Sequence, residues 1–372
     1  MRIVVVNPGS SSVKLSVVES ERTTVLAKEL IGDERASALA LGEFLDDAGE
    51  VDGLGVRFVH GGPTLTEAVV VDAAVEERIE VVADLAPLHN PPALEALRML
   101  RRLHPGLTAV ACFDTAFHRT IPPVAATYAL PEDWRRMGGF RRYGFHGLSH
   151  AWATRRVGEL LATGAGYHRL VTCHLGAGAS LAAVLGGRSV DTTMGFTPMD
   201  GLVMATRSGS IDPGIVLWML RHGGVGADEL EQGLDRRSGL AGLSGISGGD
   251  MRAVLQSASE GDSRSILAVE CYLHRLSGAI AQMAASLGGL DAMAFTGGVG
   301  EGSALIRERV GERLGFLGVT IDAATNQHAA GDREITGGGD QGTPRPGGRV
   351  RTFVVQARED LEIAGEAARL LN

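Results

Sequence analysis

Val4-Val5-Val6-Asn7-Pro8-Gly9-Ser10-Ser11-Ser12 and Val171-Thr172-Cys173-His174-Leu175-Gly176-Ala177-Gly178-Ala179 read alike. Each is an apolar strand that ends in a polar residue and runs into a turn of glycine and small side chains. Each is followed by a second apolar strand, Val13–Val18 after the first. A strand–turn–strand hairpin with small residues at its tip brings backbone N–H groups close to a phosphate. Two such hairpins in two halves suggest a duplicated fold that holds a nucleotide. Two unrelated hairpins are the other reading, and the repeat alone leaves both open.

Outward from these stretches, strand and helix signals alternate, which argues for an α/β architecture. A helix is predicted from about Asn90 to His104, with Pro91 and Pro92 in its first turn and Leu94, Leu97 and Leu100 on one stripe. Asp262 opens a longer helix. Its stripe is Ile266, Leu273, Leu276, Ile280, Met283 and Leu287, and Gly288-Gly289 stops it. The run Ala292–Phe295 reads as a strand. Phe295-Thr296-Gly297-Gly298-Val299-Gly300-Glu301-Gly302-Ser303 reads as a glycine-rich turn, and Ile306, Val310 and Leu314 as the helix beyond. Strand, glycine turn and helix N-terminus suit an anion, although a tight turn has the same composition. It is not a Walker A loop, because no Gly-Lys-Ser/Thr follows. Residues 331–348 read as a surface connection. A final helix carries Leu361, Ala364, Ala368 and Leu371 on one side.

The bulk numbers narrow the class. A chain of 372 residues suggests about two domains. A net charge of -9 argues against nucleic acid held by bulk electrostatics, but leaves room for a local arginine cluster that binds a small anion. Lysine is confined to Lys14 and Lys28. Cys112, Cys173 and Cys271 are scattered, without zinc spacing or a disulfide framework, and the first two read as buried thiols. No apolar run approaches membrane-span length and no signal peptide is expected, which points to the cytoplasm.

Polar residues interrupt several apolar strings: Arg57 before Phe58-Val59-His60-Gly61-Gly62, Asp114 in Phe113-Asp114-Thr115-Ala116-Phe117-His118, His146 in Tyr143-Gly144-Phe145-His146-Gly147, and Arg207 in Ala205-Thr206-Arg207-Ser208-Gly209. Singly, each has a structural explanation, such as a buried Arg–Asp pair or a hydrogen-bonded core histidine. As a set they suit phosphoryl transfer, whose transition state needs rigid positive donors and little covalent chemistry. Arginine serves better than lysine, because its planar fork grips carboxylate or phosphate at two points.

At these residues the chain resembles the acetate kinase (acetokinase) family. The likeness runs from Asn7 to Leu361 and includes Asn7–Lys14, Arg57–Gly62, Leu85-Ala86-Pro87-Leu88-His89-Asn90-Pro91-Pro92, Phe113–His118, Tyr143–Gly147 and Thr193-Met194-Gly195-Phe196-Thr197-Pro198. The resemblance implies a duplicated ribonuclease-H-like (actin-like) fold. Residues 1–119 plus 361–372 would form one domain and 120–360 the other, with the active site in the cleft between them. It also implies a homodimer, ATP/ADP with Mg²⁺ (or Mn²⁺), and reversible conversion of acetate and ATP to acetyl phosphate and ADP. By motif, Arg57 and Arg207 would hold acetate and the migrating phosphoryl group. His146 would be the transition-state donor, and Asp114 the carboxylate that orients an arginine and metal-bound water. Asn7 and Glu359 match the metal positions. His174, Leu175, Gly176, Ala177 and Gly178, then Asp250, Met251 and Arg252, then Gly298, Val299, Gly300, Glu301 and Gly302 match the nucleotide segments, with Lys14 near the phosphates. Val59, Leu88, Phe145 and Pro198 match the apolar pocket around the substrate methyl.

The chain departs from the family pattern at Ala177 and Gly302, where asparagine is usual, and at Ala205, where glycine is usual. Gln356-Ala357-Arg358-Glu359 lacks the usual Thr-Asn before the glutamate. Each lost asparagine removes one nucleotide hydrogen bond, worth about 1 kcal/mol net. Propionate or butyrate kinase is the alternative within the enzyme class, since one or two methylenes carry about 1–3 kcal/mol of discrimination. A non-catalytic nucleotide-binding regulator on the same fold is the alternative outside it, and it would be expected to have lost Arg57, Arg207 or His146.

Overall fold

A computed structural model describes residues 1–9, 12–20, 23–31, 38–86, 89–162, 168–338 and 349–372. Ser10, Ser11, Leu88 and most of 331–348 thus lie outside the described residues, or largely so. The chain forms two compact units. One comprises Met1–Arg119, Phe145–Trp152 and Arg358–Asn372; the other comprises Thr120–Gly144 and Ala153–Ala357.

Each unit is built on a mixed sheet of six strands. In the first these are β1 (Arg2–Pro8), β2 (Ser12–Glu19), β3 (Thr23–Ile31), β4 (Gly53–Phe58), β5 (Val69–Val70) and β6 (Ala109–Phe113). In the second they are β7 (Arg169–Leu175), β8 (Ala179–Leu185), β9 (Arg188–Thr192), β10 (Ala292–Thr296), β11 (Arg333–Glu334) and β12 (Arg351–Val354). The first sheet has the order β3-β2-β1-β4-β6-β5, and the second, read from its far edge, β9-β8-β7-β10-β12-β11. Strand for strand, the second order is the first displaced by six. The senses agree as well. β1–β2, β2–β3 and β5–β6 are antiparallel, as are β7–β8, β8–β9 and β11–β12. β1–β4 and β4–β6 are parallel, as are β7–β10 and β10–β12. The register even slips within the matching β2–β3 and β8–β9 ladders. Of the two readings of the repeated stretch, the duplicated fold is the one that holds.

Both faces of the first sheet are covered, and this is why β1 reads as an unbroken apolar run. Val4 and Val6 point into a core with Phe44, Leu94, Leu97 and Ile79, supplied by helices Ala38–Ala48, Ala73–Val81 and Asn90–Leu103. Ile3 and Val5 point the other way, onto Leu361, Ile363, Ala364 and Ala367 of the helix Glu359–Leu371. That helix lies close against β4. A Cβ at Gly55 would stand 2.7 Å from Ile363 Cγ2, and one at Gly53 would run into Leu371. The same helix turns two carboxylates inward. Glu362 is 5% exposed, and Glu366, one turn on, has its Oε2 buried beside Cys112 of β6. A cavity of about 450 Å³ adjoins them, bordered by Phe117, Arg119, Leu148 and Arg369.

In the second unit, Asp262 caps the helix Ser263–Ser286 by accepting from Ser265 N at 2.7 Å. Leu273, Leu276, Ile280 and Met283 are buried, but Ile266 is exposed. Traced back at 3.6 residues per turn, the inward stripe passes through Val269 and Ser265 and leaves Ile266 outside. The glycine-rich stretch after β10 also differs from expectation. It is a short helix, Gly297–Gly302, rather than a turn, followed by a second helix, Ala304–Arg313.

Candidate active site

In the first unit, Asn7, Arg57 and Asp114 sit at the carboxyl ends of β1, β4 and β6, the parallel strands at the centre of the sheet. Carboxyl ends of parallel strands are where open α/β sheets place their ligands. Glu359, the first residue of the covering helix, comes to the same end. The four residues form one hydrogen-bonded cluster. Arg57 Nε donates to Asp114 Oδ1 at 3.1 Å and Nη2 donates to Oδ2 at 2.6 Å, a two-point grip. Arg57 Nη1 donates to Asn7 Oδ1 at 2.8 Å and lies 3.3 Å from Glu359 Oε2. Asn7 Nδ2 donates to that same oxygen at 2.7 Å.

This cluster is largely removed from water: the Asp114 side chain is 1% exposed and that of Arg57 12%. Burial opposes the Arg57 charge, but Asp114 and Glu359 outweigh it and push the guanidinium further up. Burial pushes the Asp114 carboxyl up, while Arg57 and the His146 backbone N–H pull it back. The outcome is an arginine locked in place by acceptors on both sides. The structural explanation considered for Arg57 and Asp114, a satisfied buried pair, is therefore real, and it also fixes where the fork points.

His146 adopts φ 55, a left-handed backbone unusual for a residue other than glycine. Such strain persists where the surroundings enforce it, and it concentrates at functional sites. What enforces it is visible. The His146 N–H bonds the Asp114 carboxylate, and Gly147 passes so near the Asp114 carbonyl that a Cβ would collide with it. His146 itself is half-buried at the head of the helix Gly147–Leu160.

Phe145 and Val59 are buried in this unit, and two histidines support Phe145. The His60 ring meets the Phe145 ring edge-on at 5.5 Å, and His118 Nε2 lies 3.0 Å from the Phe145 carbonyl. Burial drives both histidines down to about 4, so they are neutral. Sequence reasoning passed over these two. It also read Asn90 as a helix-start signal, whereas its amide is fully buried and clamps the His60 backbone, donating to O at 2.8 Å and accepting from N at 3.2 Å. Lys14 is exposed and pairs in register with Asn7 across the first hairpin.

In the second unit, Arg207 lies on the loop before the helix Pro213–His222. Its Nη1 donates to the Pro198 carbonyl at 3.0 Å, and its Nε lies 3.3 Å from Asp235 Oδ1. Burial pulls the guanidinium down and Asp235 counters this. The turn Gly176–Gly178 between β7 and β8 is tied to the same loop, since Ala205 N donates to the Ala177 carbonyl at 3.0 Å. His174 and Leu175 end β7, with Leu175 buried.

The other expected nucleotide segments divide by exposure. Asp250 caps the helix Met251–Ser259 and, like Arg252, is exposed; Met251 is 5% exposed and belongs to the core. Gly298 and Gly302 face open space, Val299 is half-buried and Gly300 buried. The Glu301 carboxylate accepts from Gly297 N and from Ala357 N, each at 2.9 Å, and so is used in holding the strand end. Among the described residues, no three histidine, cysteine or acidic side chains gather as a metal site.

Comparison with known proteins gives a consistent picture. The family model described as the acetokinase family matches residues 32–365. An acetate kinase of Synechococcus sp. is 47% identical over 330 residues, covering 89% of this chain and 79% of the relative. The crystal structure of Porphyromonas gingivalis acetate kinase superposes with a TM-score of 0.89 at 32% identity, over the full length of both chains. That of a propionate kinase from Francisella tularensis superposes with a TM-score of 0.87 at 34% identity, covering 98% of each chain.

Proposed function

Since the chain belongs to the acetokinase family and is a kinase, we propose that it moves the γ-phosphoryl group of ATP to and from acetate, giving acetyl phosphate and ADP. The observation that supports this most directly is the closed Asn7–Arg57–Asp114–Glu359 cluster with His146 held against it. It holds a guanidinium rigidly in a largely dehydrated place between two carboxylates, and a fixed, preorganised arginine is what an anionic acceptor and a phosphoryl group in transit require.

In the forward direction an acetate oxygen attacks the γ-phosphorus. The new P–O bond forms as the bond to the β,γ-bridging oxygen breaks and its electron pair leaves with ADP. Acetate is ionised near neutral pH, so no base is needed. Asp114 is accordingly a positioning residue that holds Arg57. Arg57 and Arg207 are assigned to offset the repulsion between two anions, which is large in a low-dielectric site. His146 is the further donor to the transferring group. Val59, Phe145 and Pro198 are assigned to the substrate methyl, as is Leu88, which lies outside the described residues. Gly176–Gly178, Asp250–Arg252 and Gly298–Gly302 are assigned to the nucleotide.

The donor chemistry of Asn7 and Glu359, an amide oxygen and a carboxylate, fits Mg²⁺, which takes one or two such oxygens plus substrate phosphates and water. Bound there, Mg²⁺ would neutralise phosphate charge. The homodimer belongs to this reading too. Helix Pro213–His222 buries no residue in its own unit, and its Ile215, Leu217 and Trp218 are 54%, 50% and 59% exposed, as suits a surface covered by a second copy. A cytoplasmic location agrees with free thiols at Cys112, Cys173 and Cys271. Among the described residues, no helix is long and apolar enough to cross a membrane.

The test is a panel of formate, acetate, propionate and butyrate with ATP and Mg²⁺, read as kcat/KM. Acetate is expected first and propionate second. A butyrate value above that of acetate would reassign the substrate, and no turnover with any of the four would remove the proposal.

A further inference from the structure

Arg207 reaches its position without the two-point carboxylate grip that Arg57 enjoys. It sits on a loop, with a side chain 17% exposed, and a desolvated guanidinium on a loop needs something to hold both its charge and its angle. Asp235, at the end of the helix Ala227–Arg236, meets both needs. Its carboxylate Oδ1 faces Arg207 Nε at 3.3 Å, and its own backbone carbonyl accepts from Thr206 Oγ1 at 2.9 Å. The neighbouring backbone repeats the tie: Ser208 N donates to the Leu234 carbonyl at 3.0 Å and Ser238 N to the Thr206 carbonyl at 2.9 Å. One residue thus grips the loop at Thr206 and the side chain at Arg207. The remaining holds on Arg207 are at Nη1, from the Pro198 carbonyl and, at 3.7 Å, from Met204 Sδ. Among the described residues these contacts engage Nε and Nη1, and the Nη2 end of the fork is left for an incoming anion.

We propose that Asp235 is the positioning residue of Arg207, fixing the guanidinium on the Nε side so that Nη2 is presented to the phosphoryl group. The proposal rests on the reading of Arg207 as a donor in the reaction. Acting through Arg207, Asp235 should on removal affect kcat more than either KM. Arg236 also approaches Asp235, at 3.8 Å, but its side chain is 62% exposed and solvent screens it. Asp235 is thus devoted to Arg207.

The experiment compares kcat and the KM values for acetate and ATP in Asp235→Asn, Asp235→Glu, Arg207→Ala and the Arg207→Ala/Asp235→Asn double variant, with the melting temperature of each. Asp235→Asn should lower kcat roughly 10-fold or more, because a displacement on the scale of one ångström in a reacting group is that costly. Its KM values should change little. Asp235→Glu should recover part of the loss. In the Arg207→Ala background Asp235→Asn should cost nothing further, since the two act through one another. If Asp235→Asn does not fold, Asp235→Ser, which also lacks the carboxylate, decides: wild-type kcat there would count against positioning, and a loss confined to kcat would support it. Wild-type kcat in Asp235→Asn together with an impaired Arg207→Ala overturns this inference alone. An unimpaired Arg207→Ala overturns the assignment of Arg207 on which it rests.

Discussion

Glu366 should make the first unit lose stability as the pH rises from 4.5 to about 7. Its carboxyl lies against the sheet, with Oε2 buried and the Cys112 thiol beside it. Burial is the largest influence, and the neighbouring Glu362 carboxylate adds to it. The Cys112 thiol, Arg369 and Arg119 pull the other way, and the balance pushes Glu366 from 4.5 up to about 7. Glu67 lines the same cavity. The folded unit therefore binds this proton more tightly than the unfolded chain does. The stabilisation is fully present below pH 4.5, declines between 4.5 and about 7, and is gone above that. Each tenfold in proton affinity is about 1.4 kcal/mol, so the interval amounts to about 3 kcal/mol. The assay is urea unfolding of wild type and Glu366→Gln at pH 5 to 8 (buffer choices, with midpoints compared at each pH), in a background lacking Trp134 and Trp218. Trp152 packs on this same face and would then report the first unit by fluorescence. Glutamine should raise the midpoint above neutrality and cease to do so near pH 5. The two curves running parallel across the range would refute the reasoning, because the other acids titrate alike in both proteins.

Replacing Arg57 or Arg207 by alanine should lower kcat roughly 10²-fold, the scale of losing one preorganised donor, and Arg207→Lys should recover little of it; near-normal steady-state kcat in both alanine variants would reduce the arginines to structural ion-pair partners. Gly55→Ala places a methyl 2.7 Å from Ile363 Cγ2 and should cost about 1–3 kcal/mol by overpacking, read from the urea midpoint of the first unit; an unchanged midpoint would show that the covering helix can shift freely. Ala177→Asn restores a side-chain donor to the β7–β8 turn and should tighten ATP about fivefold, the equivalent of one hydrogen bond of about 1 kcal/mol; titration calorimetry giving equal or weaker affinity would discount that departure.

What the sequence disclosed, and what it withheld, follows from how far each signal reaches. The β1–β2 and β7–β8 hairpins were legible because strand, turn and strand are contiguous there. So was the helix Asn90–Leu103, with its prolines and leucine stripe. The two-residue strands β5 and β11 carry too little pattern to be seen, although each completes its sheet. Ile266 was misplaced because an apolar residue near a helix start counts toward a stripe whether or not that turn meets the core. The Gly297–Gly302 helix was hidden by its own composition, since glycine disfavours helix and, of the two Glu301 ties that hold it, the one to Ala357 N spans 56 residues. Arg57, Asp114 and His146 stood out as polar interruptions in apolar strings, yet their pairing spans 57 residues for Arg57 and Asp114 and could not be chosen over the bland reading. Asp235, Glu366 and the Asn90–His60 clamp gave no interruption of that kind, and three-dimensional contact alone reveals them.

The helix Glu359–Leu371 closes one face of a sheet whose strands all precede Asp114 in the chain, while the whole second unit intervenes. During synthesis, Ile3, Val5, Val18 and Val110 must therefore wait uncovered until the second unit has been translated. That wait is an interval of aggregation risk and a natural point of chaperone engagement. The wait extends to the arginine cluster. Glu359 reaches Arg57 and Asn7 only when this helix docks, so until then the arginine is held by Asp114 and Asn7 without its second carboxylate.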